Sequence, residues 1–190
     1  MSPSLVLLPA MLCDDDLYAP QTESLRDLVE ARPLVVAAAD MTEAVARVLQ
    51  QAPPRFGLAG TSYGGSLALE VALAAPDRVL DLWLMGCNPG APRDPEGADR
   101  LRQRVQAVEF SAVGRQDRRG DLARIECPTL LTWGREDTFS DVGHASLMAS
   151  RIPIADLVVI DACGHLPTLE QPAATTKVAR AWLERIEAGA

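Results

Sequence analysis

Histidine, aromatic residues and long apolar runs are what this 190-residue chain has least of. It carries two histidines, His144 and His165, so chemistry that needs an imidazole has two candidates. Aromatic residues make up 4% of the chain, so a core must be built from Leu, Val and Ala, for which a hydrophobic content of 48% is ample. No apolar stretch approaches the roughly 20 residues needed to cross a bilayer. The N-terminus has no basic residue ahead of Leu5–Leu8, a run too short for a secretory signal, and the expected location is the cytoplasm. The four cysteines, Cys13, Cys87, Cys127 and Cys163, form no C-x-x-C pair. That spacing argues against a metal centre and, in a reducing compartment, against disulfides; they read as small buried apolar residues.

Positive charge is also scarce. Acidic residues outnumber basic ones 26 to 18, for a formal net charge of −8. A chain this acidic gains little from a polyanion, which excludes nucleic acid and an anionic membrane as expected partners. Asp14, Asp15 and Asp16 are adjacent, and successive side chains do not converge on one metal, so they read as a solvated helix cap. Nothing calls for a metal or an organic cofactor.

What is present is an alternation of short apolar runs with segments of helical spacing. Ser4–Leu8, Pro33–Ala38, Arg55–Ala59, Val79–Met85, Pro128–Trp133 and Ala155–Ile160 read as strands, with Asp81 an awkward guest in the fourth. Between them Tyr18–Val29, Thr42–Gln51 (capped by Thr42), Ser62–Ala75 and Asp141–Arg151 read as helices, and Gln171–Glu187 closes the chain. Strands that are apolar along their length and alternate with helices predict a doubly wound α/β fold. Its sheet would be mostly parallel, of about six strands, with helices on both faces. Residues 1–190 read as one domain with an excursion at about 88–122: a loop over Asn88–Gly97, an amphipathic helix over Asp99–Phe110 and a polar stretch to Gly120. Its arginines, Arg93, Arg100, Arg102, Arg104, Arg115, Arg118 and Arg119, read as a solvated face.

One motif carries chemistry. Gly60-Thr61-Ser62-Tyr63-Gly64 fits G-x-S-x-G and lies between a strand and a helix, the setting of a nucleophile elbow. The competing reading is a glycine-rich turn whose serine caps the helix. A serine hydroxyl needs an adjacent base. His165, in a loop past the last strand, suits that role better than His144, which falls inside a helix. Asp137, after the fifth strand, is the favoured third member, and Glu136 is its competitor. An oxyanion needs backbone N–H donors. Tyr63 can supply one, and Met11 or Leu12 the other; Pro9 has no N–H to give.

With these residues in place the chain resembles the α/β-hydrolase superfamily, in a bacterial esterase-like branch. L-L-P-A-M-L-C-D-D-D-L-Y resembles the oxyanion-loop segment, I-E-C-P-T-L-L-T-W-G-R-E-D the strand bearing the acid, and C-G-H-L-P-T-L-E-Q-P the histidine loop. The order Ser62, Asp137, His165 is that of the family. The resemblance implies a sheet in the family order 4-3-5-6-7-8, without the usual first hairpin. About 40 residues lie between Met85 and Cys127, so the cap is expected to be reduced to a loop and one helix. It implies a serine esterase acting on a small-molecule ester by Ser62 attack, with His165 as base, Asp137 orienting it, and the N–H groups of Tyr63 and Met11 holding the oxyanion. Thioesterase, lactonase or acyltransferase chemistry would use the same triad, and a slow ligand-binding protein would keep the fold alone. A reduced cap implies a shallow site, whose apolar rim leaves room for a second copy of the chain.

Overall fold

The computed structural model describes residues 3–90 and 115–189. Most of the expected excursion, including its helix at Asp99–Phe110, therefore lies outside the described residues. Six strands, β1 (Ser4–Leu8), β2 (Glu30–Pro33), β3 (Phe56–Thr61), β4 (Val79–Met85), β5 (Thr129–Gly134) and β6 (Ala155–Ile160), form one parallel sheet in the order β2-β1-β3-β4-β5-β6. This is the order the resemblance implied. It reverses direction between β1 and β3, the point at which the loops of a doubly wound sheet part and leave room for a site.

Helices cover both faces, because the strands divide their side chains between two cores. Along β1, Val6 and Leu8 face one core while Leu5 and Leu7 face the other; along β4, Leu82 and Leu84 part in the same way from Trp83 and Met85. The first core is closed by α2 (Met41–Gln51), α3 (Tyr63–Ala74) and α4 (Val142–Ala149). The second is closed by a short 3-10 turn (Asp15–Tyr18), α1 (Ala19–Ser24) and the long α6 (Pro172–Ala188), after the single turn α5 (Pro167–Glu170). With few aromatics available, two tryptophans supply much of the bulk. Trp83 and Trp133 are fully buried, and burial of a large apolar side chain is worth roughly 1.5–3 kcal/mol.

Most strands and helices shift by a residue or two at their ends, and three differences from the sequence reading matter more. The helix expected over Tyr18–Val29 ends at Ser24, where Leu25 leaves helical geometry and the chain turns directly into the sheet edge. The second strand is Glu30–Pro33, not Pro33–Ala38. It pairs with β1 from Ser4↔Glu30 to Leu7↔Pro33, and Leu34–Ala37 instead line a small cavity beside the loop after β1. The cap of α2 is Asp40, whose carboxylate accepts from the Glu43 N–H at 2.8 Å, rather than Thr42. Asp14 caps the 3-10 turn, as an exposed acidic cluster should. All four cysteines are free, and no group of metal-ligating side chains assembles among the described residues. No helix among them is long and apolar enough to cross a membrane.

Candidate active site

β3 delivers Ser62 into a sharp turn. Its backbone sits at φ 55°, ψ −116°, a conformation that costs a non-glycine residue on the order of 1–3 kcal/mol and persists only where the surroundings impose it. The surroundings do so here. The Ser62 N–H donates to the Met85 carbonyl at 2.8 Å, and its carbonyl accepts from the Ser66 N–H at 3.0 Å. The turn is also too crowded for side chains: a Cβ on Gly64 would lie 2.0 Å from the Leu8 carbonyl oxygen, and one on Gly60 2.2 Å from the Gly64 oxygen.

Ser62 stands at the N-cap of α3, yet its hydroxyl caps nothing. It lies 2.8 Å from His165 Nε2 instead, which decides against the capping reading. On the other side of the ring, His165 Nδ1 lies 2.9 Å from Asp137 Oδ2. A carboxylate oxygen can only accept, so Nδ1 carries the proton, and Nε2 of the neutral ring accepts from the Ser62 hydroxyl. Asp137 is itself held. Its Oδ1 accepts from the N–H groups of Phe139 at 2.9 Å and Ser140 at 2.8 Å, and its side chain is fully buried. The competitor Glu136 is exposed, and its backbone joins Cys163 instead. His144 lies within α4 and is half-buried, with Nδ1 3.3 Å from Ser140 Oγ.

These groups open on a cavity of about 320 Å³ lined by Met11, Ser62, Tyr63, Phe139 and His165, among others. Both expected oxyanion donors, Met11 and Tyr63, thus lie in its wall. Leu12, the alternative to Met11, is 83% exposed and lines only the smaller neighbouring cavity. Among the other aromatic residues, Tyr18 is completely buried: its hydroxyl lies 2.8 Å from both the Leu8 carbonyl and Thr61 Oγ1, and burial pushes its phenol well above the ordinary range. It ties the end of β1 to the end of β3. Trp133 packs in the core and donates to the Ser140 carbonyl at 2.7 Å.

Several supporting residues escape a reading from sequence. Glu170 accepts from the N–H groups of Gly164 at 2.7 Å and Leu166 at 2.8 Å, clasping the loop on either side of His165. Gly86 adopts φ 55° where a Cβ would press on the His165 carbonyl at 2.8 Å. Phe139 sets its ring 5.1 Å from that of His165. Two of the arginines expected on a solvated face are not there. Arg115 lines the Ser62 cavity, and Arg118 makes a two-pronged ion pair with Glu70, whose side chain is nearly buried. The cue was weak, because the contacts join residues almost 50 positions apart.

A parallel sheet of this order, carrying a strained serine between β3 and α3 and an acid and a histidine beyond β5 and β6, is the architecture of an α/β hydrolase. No protein-family model matches the chain. It is similar to a pimeloyl-(acyl-carrier protein) methyl ester esterase of Nitrosomonas europaea, at 27% identity over 70% of this chain and 71% of that protein. It is also similar to a 2-hydroxy-6-oxo-6-phenylhexa-2,4-dienoate hydrolase of Burkholderia cepacia, at 32% identity over 51% of this chain but 33% of that protein. Among solved structures, a thermophilic esterase from Thermogutta terrifontis superposes with a TM-score of 0.84 at 22% identity, covering 98% of this chain and 91% of that one. The chain has the α/β-hydrolase fold.

Proposed function

We propose that the chain is a serine hydrolase that cleaves carboxylic esters through an acyl-enzyme intermediate. The observation that carries this reading is the unbroken hydrogen-bond path from Asp137 through His165 to Ser62, at 2.9 and 2.8 Å, ending on a serine that faces a cavity. Relatives that are hydrolases support hydrolase activity in general.

The chemistry follows from the geometry. Ser62 Oγ attacks the ester carbonyl while Nε2 of His165 takes its proton, and the resulting imidazolium is stabilised by the Asp137 carboxylate. The N–H groups of Met11 and Tyr63 receive the charge that develops on the carbonyl oxygen, a contribution worth about 3–4 kcal/mol per donor in hydrolases that use one. His165 then returns the proton to the departing alcohol. The same nitrogen next activates water to release the acid. Because Ser62 is already turned toward the base, little reorganisation precedes attack.

Hydrolysis of p-nitrophenyl esters from acetate to long-chain acyl groups, by wild type and Ser62→Ala, tests this. Wild type should turn over, and the variant should lose on the order of 10⁴-fold or more in kcat, as loss of a triad member does. Equal rates in the two proteins would overturn the assignment.

A further inference from the structure

We propose that Ser140 is a positioning residue for the triad: its hydroxyl ties Asp137 to the end of β4, the segment against which Ser62 and His165 are also set. The inference rests on the triad reading and adds to it a residue that touches no reacting atom. Ser140 follows β5, in the turn that begins at Asp137, and is 3% exposed. Each of its polar groups is engaged. The N–H donates to Asp137 Oδ1 at 2.8 Å, the carbonyl accepts from Trp133 Nε1 at 2.7 Å, and Oγ donates to the Cys87 carbonyl at 2.8 Å. A carbonyl oxygen cannot donate, so the hydroxyl proton is committed to Cys87. Oγ is left as an acceptor, with His144 Nδ1 3.3 Å away.

The acceptor puts Ser140 in the same frame as the nucleophile. Cys87 closes the run Met85-Gly86-Cys87 at the carboxyl end of β4. The Met85 carbonyl receives the Ser62 N–H at 2.8 Å, so the strained serine is set on this run. Gly86 comes so close to His165 that an added Cβ would lie 2.8 Å from its carbonyl oxygen and 3.2 Å from Nδ1. Asp137 reaches the same run through Ser140. Without the hydroxyl the carboxylate can drift relative to the ring it orients, and a misplacement of about 1 Å can cost on the order of 10²-fold in rate. The main-chain N–H that meets Oδ1 survives removal of the hydroxyl, so the side chain acts on the base only by fixing where that N–H stands. Ser140 also borders the Ser62 cavity, but its hydroxyl proton is spent on Cys87 rather than on a substrate.

The test removes the hydroxyl and keeps the N–H. Ser140→Ala should lower kcat on p-nitrophenyl acetate about ten-fold while KM changes by less than about two-fold, because acylation and deacylation both pass through His165. Thr129→Val is the matched control. It deletes a hydroxyl at the opposite end of β5, where Oγ1 donates to the Cys127 carbonyl at 3.1 Å, and should leave kcat within about two-fold of wild type. The His165 Nδ1 proton supplies a readout that needs no turnover. Held by a buried carboxylate, it resonates far downfield in the proton spectrum, and with two histidines in the chain its loss in Asp137→Asn identifies it. In Ser140→Ala the signal should move upfield or be lost to exchange with water; in Thr129→Val it should stay. If no ester is hydrolysed but the signal still responds to Ser140→Ala, the esterase reading fails and the positioning role stands. An unchanged kcat in an active enzyme, or an unmoved proton signal in a folded Ser140→Ala protein, overturns the proposal. So does a kcat loss that Thr129→Val shares, or a loss confined to KM.

Discussion

Asp137 and Asp81 are two carboxylates set into the same sheet at opposite ends, and they fare very differently. Asp137 lies past the carboxyl end of β5, where loops converge; it accepts three hydrogen bonds, from the Phe139 and Ser140 N–H groups and from the His165 ring. Asp81 lies within the amino-terminal half of β4, and its buried Oδ1 has no hydrogen-bond partner. Burial alone pushes the Asp81 carboxyl up to about 6. The difference has a structural cause. Inside a sheet the backbone N–H groups are committed to neighbouring strands, whereas a turn beyond the sheet's edge leaves them free to converge on an anion. A buried charge is usable at one end of this fold and a liability at the other.

The strongest way to break that contrast is to remove the charge at the favoured end. Asp137→Asn keeps the shape but lets an amide face Nδ1, which selects the wrong tautomer of His165; p-nitrophenyl ester hydrolysis should fall about 10⁴-fold. A loss under ten-fold would mean that Asp137 does not orient the base. The mirror experiment, Asp81→Asn, should leave catalysis intact and raise stability. The sign follows from linkage. A carboxyl at about 6 in the folded chain, against an ordinary value of 3.8, binds protons more tightly folded than unfolded. Stability from this group is present below about pH 4 and is lost as pH rises through 6, so wild type should weaken across that window. The variant should not, and its advantage in urea denaturation at pH 7 should reach at most about 3 kcal/mol. Equal pH profiles for the two proteins would show that Asp81 finds a partner after all.

Most of the fold was legible because strand and helix periods are local. The bounds of β1, β4 and β6 follow directly from apolar runs, and the turn at Ser62 from small residues around a serine. The second strand was misread because Leu34–Ala38 is as apolar as a strand. What decides pairing is the register of Glu30–Pro33 against β1, and the apolar segment serves the neighbouring cavity instead. Ser62, His165 and Asp137 could be chosen because each follows a strand, and in a parallel sheet all strand ends of one polarity share an edge. Arg115 and Arg118 could not be. A guanidinium's destination depends on which long connection folds back over the sheet, and an arginine-rich stretch has the same composition whether it faces water or a cavity. Asp81 lies between, since its misfit to a strand is visible in sequence while its lack of a partner is not.

The smallest expected effect sharpens the comparison by adding a third carboxylate. Glu170 resembles Asp137 in meeting two backbone N–H groups, those of Gly164 and Leu166, but it is exposed and touches no reacting atom. Its role is to hold the loop that carries His165. In Glu170→Gln one oxygen still accepts while the other is replaced by a donor facing an N–H, so one of the two clasps is lost. Water can reach the released group, which keeps the cost near 1 kcal/mol in stability. The ring should then spend part of its time off Ser62, lowering kcat about two- to five-fold with KM unchanged, because the cavity wall is untouched. A loss as large as that of Asp137→Asn would relocate the control of the base from the aspartate's charge to the position of the loop.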